Sequence, residues 1–144
     1  MFRILSFLLL LSVLVSQCSS KGKSGLMPEV KTCDSAIVMY YHTPGNPRFF
    51  NITRVKDMAL LEPVTDDVNR KVIPPKDSCT TQGKIYFYGK GGAVYPVYFS
   101  RNSDCLTLSF IKTGVKYYTR MGSASNNLLN QLEQQAEQLP GNRP

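Results

Sequence analysis

The sequence predicts a single α+β domain: a small antiparallel sheet, most of it a C-terminal meander, packed by short helical segments and an amphipathic C-terminal helix. Three observations predict it. Between residues 84 and 121, apolar and polar side chains alternate with period two in runs broken by glycine-rich or polar turns, the pattern of strands with one buried face. Leu128, Leu129, Leu132, Ala136 and Leu139 recur instead at helical spacing. About 125 residues follow the N-terminal apolar segment, enough for one core and too few for two. The helix needs an apolar partner and the strands offer one; a small all-β barrel with the last helix against its outside is the competing architecture.

Residues 35–42 read as the first strand, because Ile37, Val38, Met39, Tyr40 and Tyr41 form a nearly continuous apolar run. Thr43, Pro44, Gly45, Asn46 and Pro47 make a turn whose two prolines oppose regular pairing, and residues 49–55 form a short second strand. Asp57 is placed to cap a helical turn through Met58, Ala59, Leu60 and Leu61, which Pro63 ends or kinks, and residues 66–71 continue as another helical turn. Pro74 and Pro75 make residues 72–77 an extended connection. Residues 84–88 and 93–99 form a hairpin around Gly89, Lys90, Gly91 and Gly92. After a turn at residues 101–104, Leu106, Leu108 and Phe110 alternate with Thr107, Ser109 and Ile111. Lys112, Thr113 and Gly114 then turn the chain into residues 115–121, the fourth strand of the meander. Ser123 or Ser125 caps a helix running to about residue 139, stopped by Pro140 and Gly141.

The N-terminus carries an address. Arg3 precedes the apolar run of residues 4–15, which is followed by Ser16, Gln17 and Cys18. Roughly a dozen apolar residues behind a basic one suit an export signal and fall short of the ~20 that span a bilayer. The stretch Leu14, Val15, Ser16, Gln17, Cys18, Ser19 and Ser20 resembles the lipobox of bacterial lipoproteins, departing from its strict form at Gln17, where a small residue is usual. The resemblance implies a signal peptide of residues 1–17, lipidation at Cys18 and a location in the cell envelope, membrane-anchored outside the cytoplasm. Each buried methylene of an acyl chain contributes about 0.8 kcal/mol, so several chains on one cysteine hold a domain durably. Residues 18–32, rich in Ser, Gly and Lys, then form a flexible tether to a domain of residues 33–140 with a short tail, 141–144. Ordinary signal-peptidase cleavage, releasing a soluble secreted protein, is the alternative.

The formal charge is +7, and of the basic residues only Arg3 goes with the signal. A basic exported protein favours anionic head groups, acidic glycans or acidic envelope proteins as partners, and nucleic acid is a poor partner outside the cytoplasm. Lys and Arg are nevertheless scattered without a dense run, as on a solvated mixed surface. Among Cys33, Cys79 and Cys105, the last two precede strands that run in the same direction in a meander, so Cys79 with Cys105 is the preferred disulfide and Cys33 with either competes. That bridge closes a loop of about 25 residues, a contribution of roughly 3 kcal/mol on the chain-entropy model.

No catalytic, cofactor or metal-ligand pattern stands out. The cysteines are far apart, and His42 is the only histidine. Gly89, Lys90, Gly91 and Gly92 lie between strands and so make a hairpin rather than a phosphate loop. His42 lacks an evident partner for base catalysis, and the adjacent Asp66 and Asp67 suit charge complementarity at a helix N-terminus. Asn51, Ile52 and Thr53 form a glycosylation sequon, incidental in a bacterial lipoprotein.

If Ile85, Phe87, Val97, Phe99, Leu106, Leu108, Phe110, Val115 and Tyr117 face the core, alternation sends Lys84, Tyr86, Tyr88, Tyr98, Lys116, Tyr118 and Arg120 to the opposite face. Tyrosine offers flat apolar contact with a hydrogen-bonding tip, and the cations attract acidic groups. The expected function is therefore a non-enzymatic binding module of the envelope. Alternatives are a small envelope-acting enzyme working through His42 or a free cysteine, an inhibitor, or a structural component of an envelope assembly. Tyrosine is also simply a good strand residue, which explains the same pattern without a ligand.

Overall fold

The computed structural model describes residues 25–142, so the expected signal peptide and Cys18 lie outside the described residues. The described chain is α+β. It begins with a 3-10 turn, Pro28–Thr32, followed by β1 (Ser35–Thr43), β2 (Asn46–Val55), a 3-10 turn at Met58–Leu61 and α1 (Glu62–Val68). Then come β3 (Val72–Ile73), β4 (Gly83–Tyr88), β5 (Val94–Ser100), β6 (Thr107–Lys112), β7 (Val115–Arg120), α2 (Ser123–Gln134) and β8 (Glu137–Gln138). The strands form one antiparallel sheet in the order β3, β7, β6, β5, β4, β1, β2, β8. The four-stranded meander is thus the middle of a wider sheet. Its edges, β3 and β8, are two-residue strands in segments whose sequence suggests a connection and a helix end.

Both helices lie on one face, where Ala36, Val38, Val55, Ile85, Phe87, Val97, Phe99, Leu108 and Phe110 meet Leu61, Val64 and Val68 from around α1 and Leu129 and Leu132 from α2. Gly83 is required by close approach, since a Cβ there would stand 2.1 Å from the Met39 carbonyl oxygen. Two buried hydroxyls fasten α2 to the sheet: Tyr40 donates to the Leu129 carbonyl at 2.8 Å and Thr53 to the Leu132 carbonyl at 2.7 Å. Each satisfies a polar group that would otherwise be stranded in the core.

Several elements differ from expectation for identifiable reasons. Pro63 neither ends nor kinks a helix; it sits in the first turn of α1, where a missing N–H costs nothing. Asp57 does cap the preceding 3-10 turn, accepting from the Ala59 amide at 3.0 Å. The two prolines do not prevent pairing at the first turn: Thr43 pairs with Asn46 around Pro44 and Gly45, with a register shift between Tyr41 and Thr43. Neither Ser123 nor Ser125 caps α2. The buried Asp67 does so from α1, accepting from the Gly122 amide at 2.7 Å and the Ser125 hydroxyl at 2.6 Å, while Arg70 pairs with its other oxygen at 3.0 Å. Asp67 thus complements the N-terminus of α2, not that of its own helix. Asp66 is exposed and pairs with Lys31 at 2.5 Å.

The expected tether is folded in its described part. Met27 and Val30 are buried and Leu26 packs against the core partly buried, and Asn69 clamps the backbone of Met27 by accepting from its amide and donating to its carbonyl, each at 3.0 Å. Val115, expected in the core, is 51% exposed because it begins β7 at the open tip of a hairpin. Leu106 and Tyr117 pack against the core only partly buried.

A half-covered tyrosine and lysine face as the candidate site

The face of the sheet opposite the helices carries the candidate site. Register places Ile52, Met39, Lys84, Tyr98, Ser109, Tyr118 and Ile73 side by side across seven strands, each facing away from the helix layer. Lys84, Tyr86, Tyr88 and Tyr98 therefore come together, as do Lys116, Tyr118 and Arg120, but the two groups end in different surroundings.

The difference comes from residues 74–82, a strap that leaves β3 at one edge and crosses β7, β6 and β5 to enter β4. A disulfide between Cys79 and Cys105, with Cα atoms 5.5 Å apart, pins it. Ser100 donates to the Thr80 carbonyl at 2.7 Å, and the Tyr118 hydroxyl donates to the Asp77 carboxylate at 2.6 Å. Tyr118 is left 5% exposed, so it is part of the strap's seat rather than of an open surface, while Lys116 and Arg120 remain exposed around it. A groove of about 300 Å³ lies along the strap between Lys76, Asp104 and Arg120.

The other group is half-buried among the described residues. Lys84 stands 4.7 Å over the Tyr86 ring, whose centroid is 6.5 Å from that of Tyr88, and Lys84 pairs across the ladder with Tyr98. Tyr41, at the end of β1, joins them. Burial pushes its hydroxyl above the usual tyrosine pKa, Lys84 pulls it back, and Tyr98 and Tyr86 add to the rise. For Lys84, burial works against the ammonium, but interaction with Tyr86 and the charges of Tyr41, Tyr86 and Tyr98 outweigh it and raise its pKa. The result is a half-buried cation held among Tyr41, Tyr86 and Tyr98, with Tyr88 beyond Tyr86 and with Ile37 and Pro96 flanking Tyr86 across the ladder. Tyr41 was hidden in the sequence by a continuous apolar run; only the parity set by Tyr40 facing the core reveals its side.

The remaining candidates are dispersed. His42 bonds to the Asn51 amide oxygen at 2.8 Å on the exposed end of β1, an amide rather than a carboxylate partner. In the sequon, Asn51 is thereby engaged and Thr53 is buried. Cys33 is buried and free; its thiol pKa is raised by burial and then by Asp34 and Glu29, which disfavours the reactive thiolate. Among the described residues no group of three His, Cys, Asp or Glu side chains is placed to hold a metal ion, and no helix is long and apolar enough to cross a membrane. No protein-family model matches the chain, and no curated protein or solved structure matches it significantly.

Proposed function

We propose that this chain is an exported, envelope-anchored binding module, held by a lipid on Cys18 and engaging an acidic envelope glycan or protein through Tyr41, Lys84, Tyr86, Tyr88 and Tyr98. One observation carries the reading: among the described residues, Lys84 stands half-buried between Tyr41, Tyr86 and Tyr98 on the outer face of the sheet. The rings supply contact area at low entropic cost and Lys84 supplies a partly desolvated charge, which strengthens its attraction for an acidic group. A binding module is favoured over an enzyme because the reactive groups His42 and Cys33 are separated, one tied to an amide on the surface and the other buried.

The test compares the intact chain with Lys84→Gln, Tyr86→Ala and Tyr98→Ala for binding to arrayed acidic glycans and for crosslinking to envelope proteins. Each substitution is expected to weaken the interaction by roughly tenfold or more, as at interface hot spots. Unchanged binding in the triple variant sinks the face. Intact mass of the protein purified from its host's membranes tests the anchor: a lipid-sized increment on a fragment starting at Cys18, lost in Cys18→Ala, is expected.

A further inference from the structure

We infer that the end of the sheet carrying the β6–β7 hairpin tip is a second membrane contact, which seats Ile111 and Val115 in the interfacial region of an anionic lipid surface with Lys90 and Lys116 against its head groups. The inference deepens the anchored reading and rests on it only for the tether.

Five large hydrophobic side chains are conspicuously exposed among the described residues, and three of them collect at this end: Ile111 at 57%, Val115 at 51% and Val94 at 45%. Antiparallel order explains why. β4 and β6 finish here while β5 and β7 begin here, so the turns at Lys90–Gly92 and at Thr113 and Gly114 lie at one end, with Tyr88 closing β4 beside them. The β6–β7 tip is tight, with positive φ at both Thr113 (50°) and Gly114 (79°), the backbone of a two-residue hairpin turn. Positive φ is uncommon for a β-branched residue such as Thr113. Ile111 pairs with Lys116 and Lys112 with Val115, so each exposed apolar side chain has a lysine as its cross-strand neighbour. Isolated exposed apolar residues are ordinary, but apolar residues at one tip, rimmed by lysines and a tyrosine, match the composition of interfacial membrane contacts.

The N-terminal arm decides the occupant. Lys112 donates to the Leu26 carbonyl and stands 3.7 Å from Glu29, so the chain enters the domain beside this tip. Six residues, 19–24, separate Cys18 from Gly25. Fully extended they span at most about 25 Å, less than the width of a domain of this size, on the order of 35 Å. A lipid on Cys18 would therefore keep this end within reach of the bilayer.

The chain contains no tryptophan, so Ile111→Trp introduces a unique reporter, with Val115→Trp as the second tip variant and Ser103→Trp as a control at the opposite end. Each is made in the full chain with Cys18 and with Cys18→Ala, and mixed with phosphatidylcholine vesicles with or without phosphatidylglycerol. With phosphatidylglycerol, the tip reporters are expected to shift to the blue and to be quenched by brominated acyl chains in both backgrounds, while Ser103→Trp does neither. Lys90→Gln and Lys116→Gln should each weaken vesicle binding of the Cys18→Ala chain about fivefold, the effect of roughly 1 kcal/mol per lysine. A chain that floats with vesicles while both tip reporters stay silent overturns the tip contact and leaves the anchor standing. A tip response in a chain whose Cys18 carries no lipid supports the tip and sinks the anchor. An equal response to both vesicle types overturns the anionic surface, and a shift that follows protein concentration without lipid assigns the patch to a second copy and overturns the proposal.

Discussion

The outer face presents the same chemical unit twice. In β4, Lys84 lies 4.7 Å over the ring of Tyr86; in β7, Lys116 lies 4.9 Å over the ring of Tyr118. Each pair is a lysine followed two residues later by a tyrosine, as strand alternation requires for side chains on one face. Yet Tyr86 is half-buried and open, whereas Tyr118 is covered and bonded to Asp77. Local sequence makes the pairs equivalent, and a nonlocal strap makes them different. One pair is built into the seat of the strap and the other stays half-buried at the surface.

The largest effect expected from disturbing that difference is removal of the Cys79–Cys105 bridge. Its ends are 26 residues apart, so replacing both cysteines by Ser should cost about 3 kcal/mol, read by denaturant unfolding. The strap should loosen before the rest of the sheet. Hydrogen exchange at β7 is expected to rise, with little change at the junction of β1 and β4. An unchanged unfolding midpoint, or loosening spread evenly over both halves, would show that the strap is held by its hydrogen bonds alone.

Alkaline titration separates the halves from another direction. Tyr41 and Lys84 on the open half hold their protons more tightly than ordinary side chains, and so do Tyr40 and Cys33 in the core. For every group raised in the folded state, the stabilising contribution is complete below the unfolded pKa and is lost as pH rises through the folded value. Stability should therefore decline above about pH 9, where an unfolded thiol begins to ionise, and more steeply above about pH 10, where tyrosine and then lysine follow. Burial raises Tyr40 most strongly, so Tyr40→Phe should flatten the decline while costing about 1 kcal/mol at neutral pH through loss of the bond to Leu129. A Tm that is level from pH 8 to 11 would contradict this.

The same contrast explains which parts were readable in advance. Period-two alternation exposed the strand faces, so Ile85, Phe87, Val97, Phe99, Leu108 and Phe110 are in the core as their spacing implies. The bridge from Cys79 to Cys105 follows from strand direction in a meander, a short-range inference. What period alone does not encode is coverage. Tyr118 satisfies every local criterion for an exposed binding residue, and only a segment more than 40 positions away buries it. Val115 obeys the core-facing parity but stands at a hairpin tip, beyond the reach of the helix layer. Asp67 is equally opaque, because an acidic residue beside another acidic residue gives no sign that it caps a helix 55 positions away.

The smallest effect expected is also the sharpest comparison. Deleting one hydroxyl from each pair, Tyr118→Phe and Tyr86→Phe, leaves both rings and both lysines in place. The Tyr118 hydroxyl donates to Asp77, so its loss should cost about 1 kcal/mol, an amount limited because Asp77 is exposed and water can take the vacated site. The Tyr86 hydroxyl interacts with Lys84 on a half-buried surface rather than with a carboxylate, and its removal should stay within about 0.5 kcal/mol. In a double-mutant cycle with Asp77→Asn, Tyr118→Phe should show coupling and Tyr86→Phe none. Binding should order the two variants the other way, with Tyr86→Phe weakening the acidic partner and Tyr118→Phe leaving it unchanged. Equal stability costs would mean that both rings are structural, and the open half would lose its claim as the recognition surface.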